Sequence, residues 1–191
     1  MKLIFKLFLI TLFIGLSFGC ASVEAPETPD PKTGRLITSL EIKPSEIVIA
    51  KQIKIEQYHL IILTGLADND YMIDTLRNMK IFKTDNIANT YTVAYKINFP
   101  DISAEEVAQQ LDTQYGMKKF VKAYGQKVLV CNINRLADTD FLAEYRLTIS
   151  DAETNEIYFQ VNISKPFLRL NKTLFNSYLN AVADWLQKKS S

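Results

Sequence analysis

Residues 141–149 and 156–164 are two strand-like runs that flank the polar turn Asp151-Ala152-Glu153-Thr154-Asn155. A connection that short can join only antiparallel neighbours. Asn155 can take the left-handed backbone conformation that a tight turn needs and that glycine usually fills. Directly afterwards, Asn171 opens a helix in which Leu174, Phe175, Tyr178, Leu179, Val182, Trp185 and Leu186 form one broad apolar stripe opposite Asn176, Asn180 and Asp184. A stripe that wide cannot stay wet, so the helix must lie on a sheet that contains the hairpin. Hairpin plus covering helix restricts the chain to an α+β arrangement.

The earlier sequence supplies further elements. Residues 58–64 are almost wholly apolar, the pattern of a strand buried on both faces, and Gly65 closes them. Asp68, Asn69 or Asp70 can cap a helix whose Met72, Leu76 and Met79 share a face. In residues 89–99, Tyr91, Val93, Tyr95, Ile97 and Phe99 alternate with smaller or polar residues, which predicts a half-buried strand ended by Pro100. Ser103 and Glu106 form a capping box for a helix through Val107, Leu111 and Tyr115, which Gly116 is expected to stop. Residues 118–123 and 127–133 read as strands around Tyr124-Gly125. The expectation is one α+β domain over residues 36–191, with a mostly antiparallel or mixed sheet covered by about three helices, chiefly on one face.

The chain opens with an export signal. Lys2 and Lys6 form a basic start, and residues 7–16 are almost unbroken apolar sequence. That run is too short to cross a hydrocarbon core of about 30 Å. Ser17-x-Gly19 satisfies the small-x-small rule of secretory cleavage, with Cys20 next. Residues 21–34 carry Pro26, Pro29 and Pro31 among Glu24, Glu27 and Asp30, and read as a stiff, extended tether. The organisation expected is a signal over 1–19, Cys20 with a tether to residue 35, and the globular domain beyond.

Residues 1–19 contain two lysines and no acid, so 20 basic and 21 acidic residues follow them. A near-neutral balance gives no electrostatic ground for a nucleic-acid partner. Eleven phenylalanines and nine tyrosines against six glycines point to a packed globule. Cys131 lies in a strand-like run, where a small buried thiol is the default reading. If Cys20 carries no lipid, it could pair with Cys131 or with another chain.

No catalytic set emerges. The single histidine, His59, sits in an apolar run and reads as a core or edge residue. One histidine and at most two thiols cannot assemble a transition-metal site of the usual kind, and no cofactor motif is present. Asp68-Asn69-Asp70 lacks the glycine and distal glutamate of a calcium loop. The chain reads as a non-enzyme without cofactor or metal.

Gly19-Cys20 after the apolar run resembles the lipobox of bacterial lipoproteins, with Ser17 and Phe18 at the positions usually taken by Leu and a small residue. The resemblance implies a diacylglycerol on Cys20. Ala21 and Ser22, with no Asp, imply an outer-membrane address facing the periplasm in a Gram-negative cell. The segment Met72–Phe82 and the hairpin Tyr145–Asp151 with Thr154-Asn155-Glu156-Ile157 are similar to parts of a group of small αβ envelope lipoproteins. That group includes the TolB amino-terminal domain, the outer-membrane activators of penicillin-binding proteins and the lipoprotein of the curli secretion channel. Auxiliary lipoproteins of ABC-type lipid transporters share a comparable hairpin and final helix. The resemblance implies a membrane-anchored module that binds another envelope protein, or else a carrier attached to a lipid or small-ligand transport system. The surface expected to meet a protein partner is Tyr91, Val93 and Tyr95, by strand addition at a sheet edge.

Overall fold

The computed structural model describes residues 25–187, apart from residues 68, 83, 85, 97–102 and 139–141. Six strands and five helices are defined among them: β1 (Ile47–Ala50), β2 (Tyr58–Gly65), α1 (Asp70–Met79), β3 (Ile87–Asn89), α2 (Thr90–Lys96), α3 (Ala104–Leu111), α4 (Gln114–Tyr124), β4 (Lys127–Asp138), β5 (Leu142–Asp151), β6 (Ile157–Pro166) and α5 (Lys172–Gln187). The fold is α+β. The strands form one sheet in the order β1-β6-β5-β4-β2-β3. The pairs β1–β6, β6–β5 and β5–β4 are antiparallel, whereas β2 lies parallel to both β4 and β3.

The hairpin forms as its turn requires. Asp151 Oδ1 accepts from the amides of Glu153 and Thr154, and Asn155 sits at φ 60°. Strand β2 is buried on both faces, because Ile61 and Leu63 point to one side of the sheet and Leu60 and Ile62 to the other. The first side carries the larger core, where α1 and α5 lie on β2, β4, β5 and β6. Phe159 stacks on Trp185 there, with ring centroids 4.8 Å apart. The second side is covered by α2, α3 and α4, and only over the half of the sheet near β2 and β4.

Both faces therefore carry helices, five in all rather than three on one face. Two segments expected as strands account for the difference. β3 pairs only three of its residues with β2, and the Asn89 side chain then caps a helix by accepting from the amide of Thr92 at 2.7 Å. Thr90, Val93 and Ala94 are buried at helical spacing. In that segment burial of one helical face overrides the β-preference of the residue types. Residues 118–123 belong to α4, capped by Thr113 and ended by Gly125 at φ 72°. Met117, Phe120 and Val121 are its buried face.

Gly116 does not stop a helix. It lies in the first turn of α4, where a Cβ would come 2.0 Å from the Gln110 carbonyl oxygen. Its missing side chain lets α4 fold back tightly on α3.

Candidate functional site

The structure places the expected contact residues differently from the sequence reading. Residues 91–95 are helical, so they offer no open ladder for strand addition. Val93 faces the core at 3% exposure, and its burial leaves nothing for a partner to touch. Tyr91 is exposed at 46%, with its hydroxyl donating to Glu105 Oε1 at 3.1 Å. The side chain of Tyr95 and the whole of Cys20 lie outside the described residues. The sheet's outer strands are β3, beside this helix, and β1 on the far side, where Val48 is 55% exposed.

The sequence reading also put Asn176, Asn180 and Asp184 on a wet face of the last helix. Asn176 and Asn180 are buried, and the segment expected as a free tether covers them. Asn180 Nδ2 donates to the Leu36 carbonyl at 2.9 Å, and its Oδ1 accepts from the Leu36 amide at 2.8 Å. Asn176 Nδ2 donates to the Ile37 carbonyl at 2.7 Å and to Glu27 Oε2 at 2.6 Å, while its Oδ1 accepts from the Tyr71 hydroxyl at 2.6 Å. Thr38 Oγ1 lies 2.8 Å from Ser177 Oγ and donates to the Thr173 carbonyl. Buried amides of this kind are stable only when every polar atom finds a partner, and these do.

Residues 27–40 thus form a strap that doubles back on itself over α5. Asp30 makes the bend: its carboxylate accepts from the amides of Lys32 and Thr33, which holds its pKa below the ordinary carboxylate value. The leg before the bend is fixed by Glu27, which pairs with Lys172 and whose main chain meets Thr75 and Asn78 of α1. The leg after it begins with Arg35 on Asp184 and continues into the core with Leu36, which is 3% exposed. The signal that marks this face is a pair of asparagines with a serine, at 176, 177 and 180, inside a helix apolar on its other sides.

Chemistry-bearing groups are scattered. Cys131 is a buried free thiol whose pKa burial pushes up to about 12, so it is not poised as a nucleophile. His59 is exposed on β2, four residues before Leu63, which pairs with Cys131. Burial opposes ionisation of Asp151. Hydrogen bonds from the amides of Thr154 and Glu153 and the hydroxyls of Tyr58 and Thr154 outweigh it and hold the carboxyl below its ordinary value. Those bonds make Asp151 the organiser of its turn. Among the described residues, no group of three or more His, Cys, Asp or Glu side chains could hold a metal ion.

Cavities lie at the surface. One cleft of about 610 Å³ runs beside the strap and is lined by Asp30, Arg35, Thr38, Glu41 and Asp184, a polar set. Another of about 500 Å³ lies at the ends of α1 and α5. A small apolar pocket of about 110 Å³ lies between α3 and α4, at Val107, Leu111 and Phe120. It is well below the 300–1,000 Å³ of usual ligand sites. Between the sheet and α5 the space is filled by Tyr178, Phe159, Leu147 and Ile149, all under 2% exposed.

No protein-family model matches the chain, and no curated protein matches it in sequence. Three solved structures are similar in part. A lipoprotein from Neisseria meningitidis, GNA1162, is 9% identical with a TM-score of 0.34, over 69% of this chain and 99% of that one. The PelC dodecamer from Paraburkholderia phytofirmans is 7% identical with a TM-score of 0.34, over 74% of this chain and 94% of that one. The LpoB C-terminal domain from Salmonella enterica is 13% identical with a TM-score of 0.31, over 56% of this chain and 77% of that one. Likenesses this distant carry no argument about what the present chain does. Among the described residues, no helix is long and apolar enough to cross a membrane.

Proposed function

We propose that this chain is a non-enzymatic accessory protein of the bacterial cell envelope, anchored through a lipid on Cys20 and binding another envelope protein. The observation that carries the reading is the cysteine placed directly after a cleavable apolar signal, Ser17-Phe18-Gly19-Cys20, seven residues ahead of the point where the folded domain takes hold at Glu27. Two or more acyl chains give stable anchoring, whereas one gives only marginal binding. The absence of Asp at positions 21 and 22 supports an outer-membrane address with the domain in the periplasm.

The packed interior favours docking over carrying. A lipid or small-ligand carrier needs an apolar chamber, and the space between the sheet and α5 is taken by large side chains. Strand addition passes from residues 91–95 to β1, which has β6 on one side and forms an outer edge of the sheet. Tyr91 remains in the proposal as an exposed surface contact beside the other edge.

Fatty-acid labelling tests the anchor: wild-type chain incorporates label and Cys20→Ala does not. Photo-crosslinking in intact cells tests the docking. A reactive residue at Val48 or Tyr91 captures one reproducible envelope protein, while the same residue at Glu153 captures none. Recovery of lipid alone from all three positions would sink the docking reading and revive the carrier.

A further inference from the structure

We infer that the end of the domain formed by residues 165–172 rests on the bilayer surface, with Phe167 and Leu170 in the interfacial zone and Arg169 against lipid phosphates. The inference rests on the lipid anchor at Cys20 proposed above and adds an orientation to it.

The first ground is where the chain enters. Glu27 is fixed at the beginning of α5, on Lys172 and Asn176, and from there residues 27–30 run toward Asp184 before the bend. The main chain of Glu27 lies on Thr75 and Asn78 of α1, and its carboxylate ties the incoming chain to the first turn of α5, next to where β6 stops. Cys20 is five residues ahead of Ala25, a span of at most about 18 Å. That end cannot stand far from the lipid.

The second ground is what this end exposes. Phe167 is 72% exposed and Leu170 36%, and Leu142, whose register partner is Pro166, is 39% exposed. Phe167 also holds φ at 55°, a left-handed conformation that is costly for an aromatic residue. Within this chain that cost presents the ring to solvent instead of the core. Rings and leucines at such a tip match the depth of about 5–10 Å at which apolar side chains enter a membrane interface.

Charge is the third. Of the basic residues in 164–172, Lys165 pairs with Glu46 and Lys172 with Glu27, while Arg169 is exposed. The opposite end of the same hairpin carries Asp151, Glu153 and Glu156. A basic residue is favourable near anionic headgroups, and an acidic one is repelled.

The test uses the mature lipidated chain, purified from membranes and reconstituted in phosphatidylethanolamine–phosphatidylglycerol vesicles whose acyl chains are brominated near the headgroup. Phe167→Trp reports on the proposed contact and Glu153→Trp on the far end, over a constant background from the buried Trp185. The expected result is an emission loss of about twofold with a blue shift for Phe167→Trp, and neither for Glu153→Trp. Intact mass read on the same sample shows whether Cys20 carries acyl chains. Acylated chain whose Phe167→Trp is quenched no more than Glu153→Trp overturns the orientation and leaves the anchor standing. A blue shift without quenching, as a second copy of the chain packed on this end would give, also overturns it. Absence of acyl mass overturns the anchor and the orientation with it.

Discussion

Removing the Asn180 side chain is the most direct way to ask whether the strap belongs to the folded domain. Asn180→Ala leaves the Leu36 amide and carbonyl without the partners they have at 2.8 and 2.9 Å, in a residue that is 3% exposed. Two orphaned main-chain groups at about 1–3 kcal/mol each set a ceiling of about 6 kcal/mol. The strap can lift at its edge and regain water, which recovers about half of that. Alanine also returns about 0.6 kcal/mol in helix propensity over asparagine. The net expectation is a loss of about 2–3 kcal/mol. Asp184→Asn, one turn further along α5, breaks the Arg35 pair instead, and both of those side chains are more than 40% exposed. Exposed pairs contribute less than about 1 kcal/mol. Urea unfolding followed by Trp185 fluorescence measures both variants, and hydrogen exchange at the Leu36 amide shows whether the strap opens locally. A change of under about 0.5 kcal/mol for Asn180→Ala, or a larger loss for Asp184→Asn, would refute the reasoning.

Three further outcomes are expected. Asp151→Asn destabilises the domain by about 1–3 kcal/mol at neutral pH. Because the folded pKa of Asp151 is depressed, its contribution is full above the unfolded value of about 3.9 and is lost as pH falls through the folded one. The gap between wild type and variant in urea midpoint should therefore close on acidification, and a gap independent of pH would contradict the assignment. Asn155→Gly stays within about 0.5 kcal/mol of wild type in thermal melts, whereas Asn155→Val loses about 1–2 kcal/mol, since a branched side chain resists φ near 60°. Gly116→Ala costs about 2 kcal/mol or more, because its Cβ meets main chain rather than a yielding side chain. A neutral Gly116→Ala would mean that α3 and α4 are not packed as closely as described.

The parts of the fold legible in the sequence are those whose local pattern and final environment agree. β2 carries the apolar run Leu60–Leu63 with both faces buried, the β5–β6 turn has its left-handed asparagine, and Asn171 caps α5 by accepting from the Leu174 amide. Residues 90–96 were illegible because Tyr91 and Tyr95 are spaced by four, which suits a strand of period two as well as a helix. What decided the matter was burial of Thr90, Val93 and Ala94 along one helical face, a tertiary fact. The strap was hidden for a different reason. Its prolines and charges read as a solvated spacer, and the groups that capture Glu27, Arg35 and Leu36 lie 144–149 residues away in sequence. The basic and apolar tip at 165–172 was visible as residues, but its position beside the chain's entry point needed the topology of β6 and α5.

The strap also gives the protein a reach that depends on load. A pull on the chain ahead of Ala25 meets the Glu27 contacts first, then the bend at Asp30, then the half-exposed Arg35–Asp184 pair, each loaded in turn rather than together. Peeling halts at Leu36, whose two main-chain groups are clamped by Asn180 and whose side chain is in the core. Residues 27–35 released up to that point add about 30 Å of extended chain. The folded domain can thus yield that length of chain to a pull from ahead of Ala25 while the sheet and its helices remain intact.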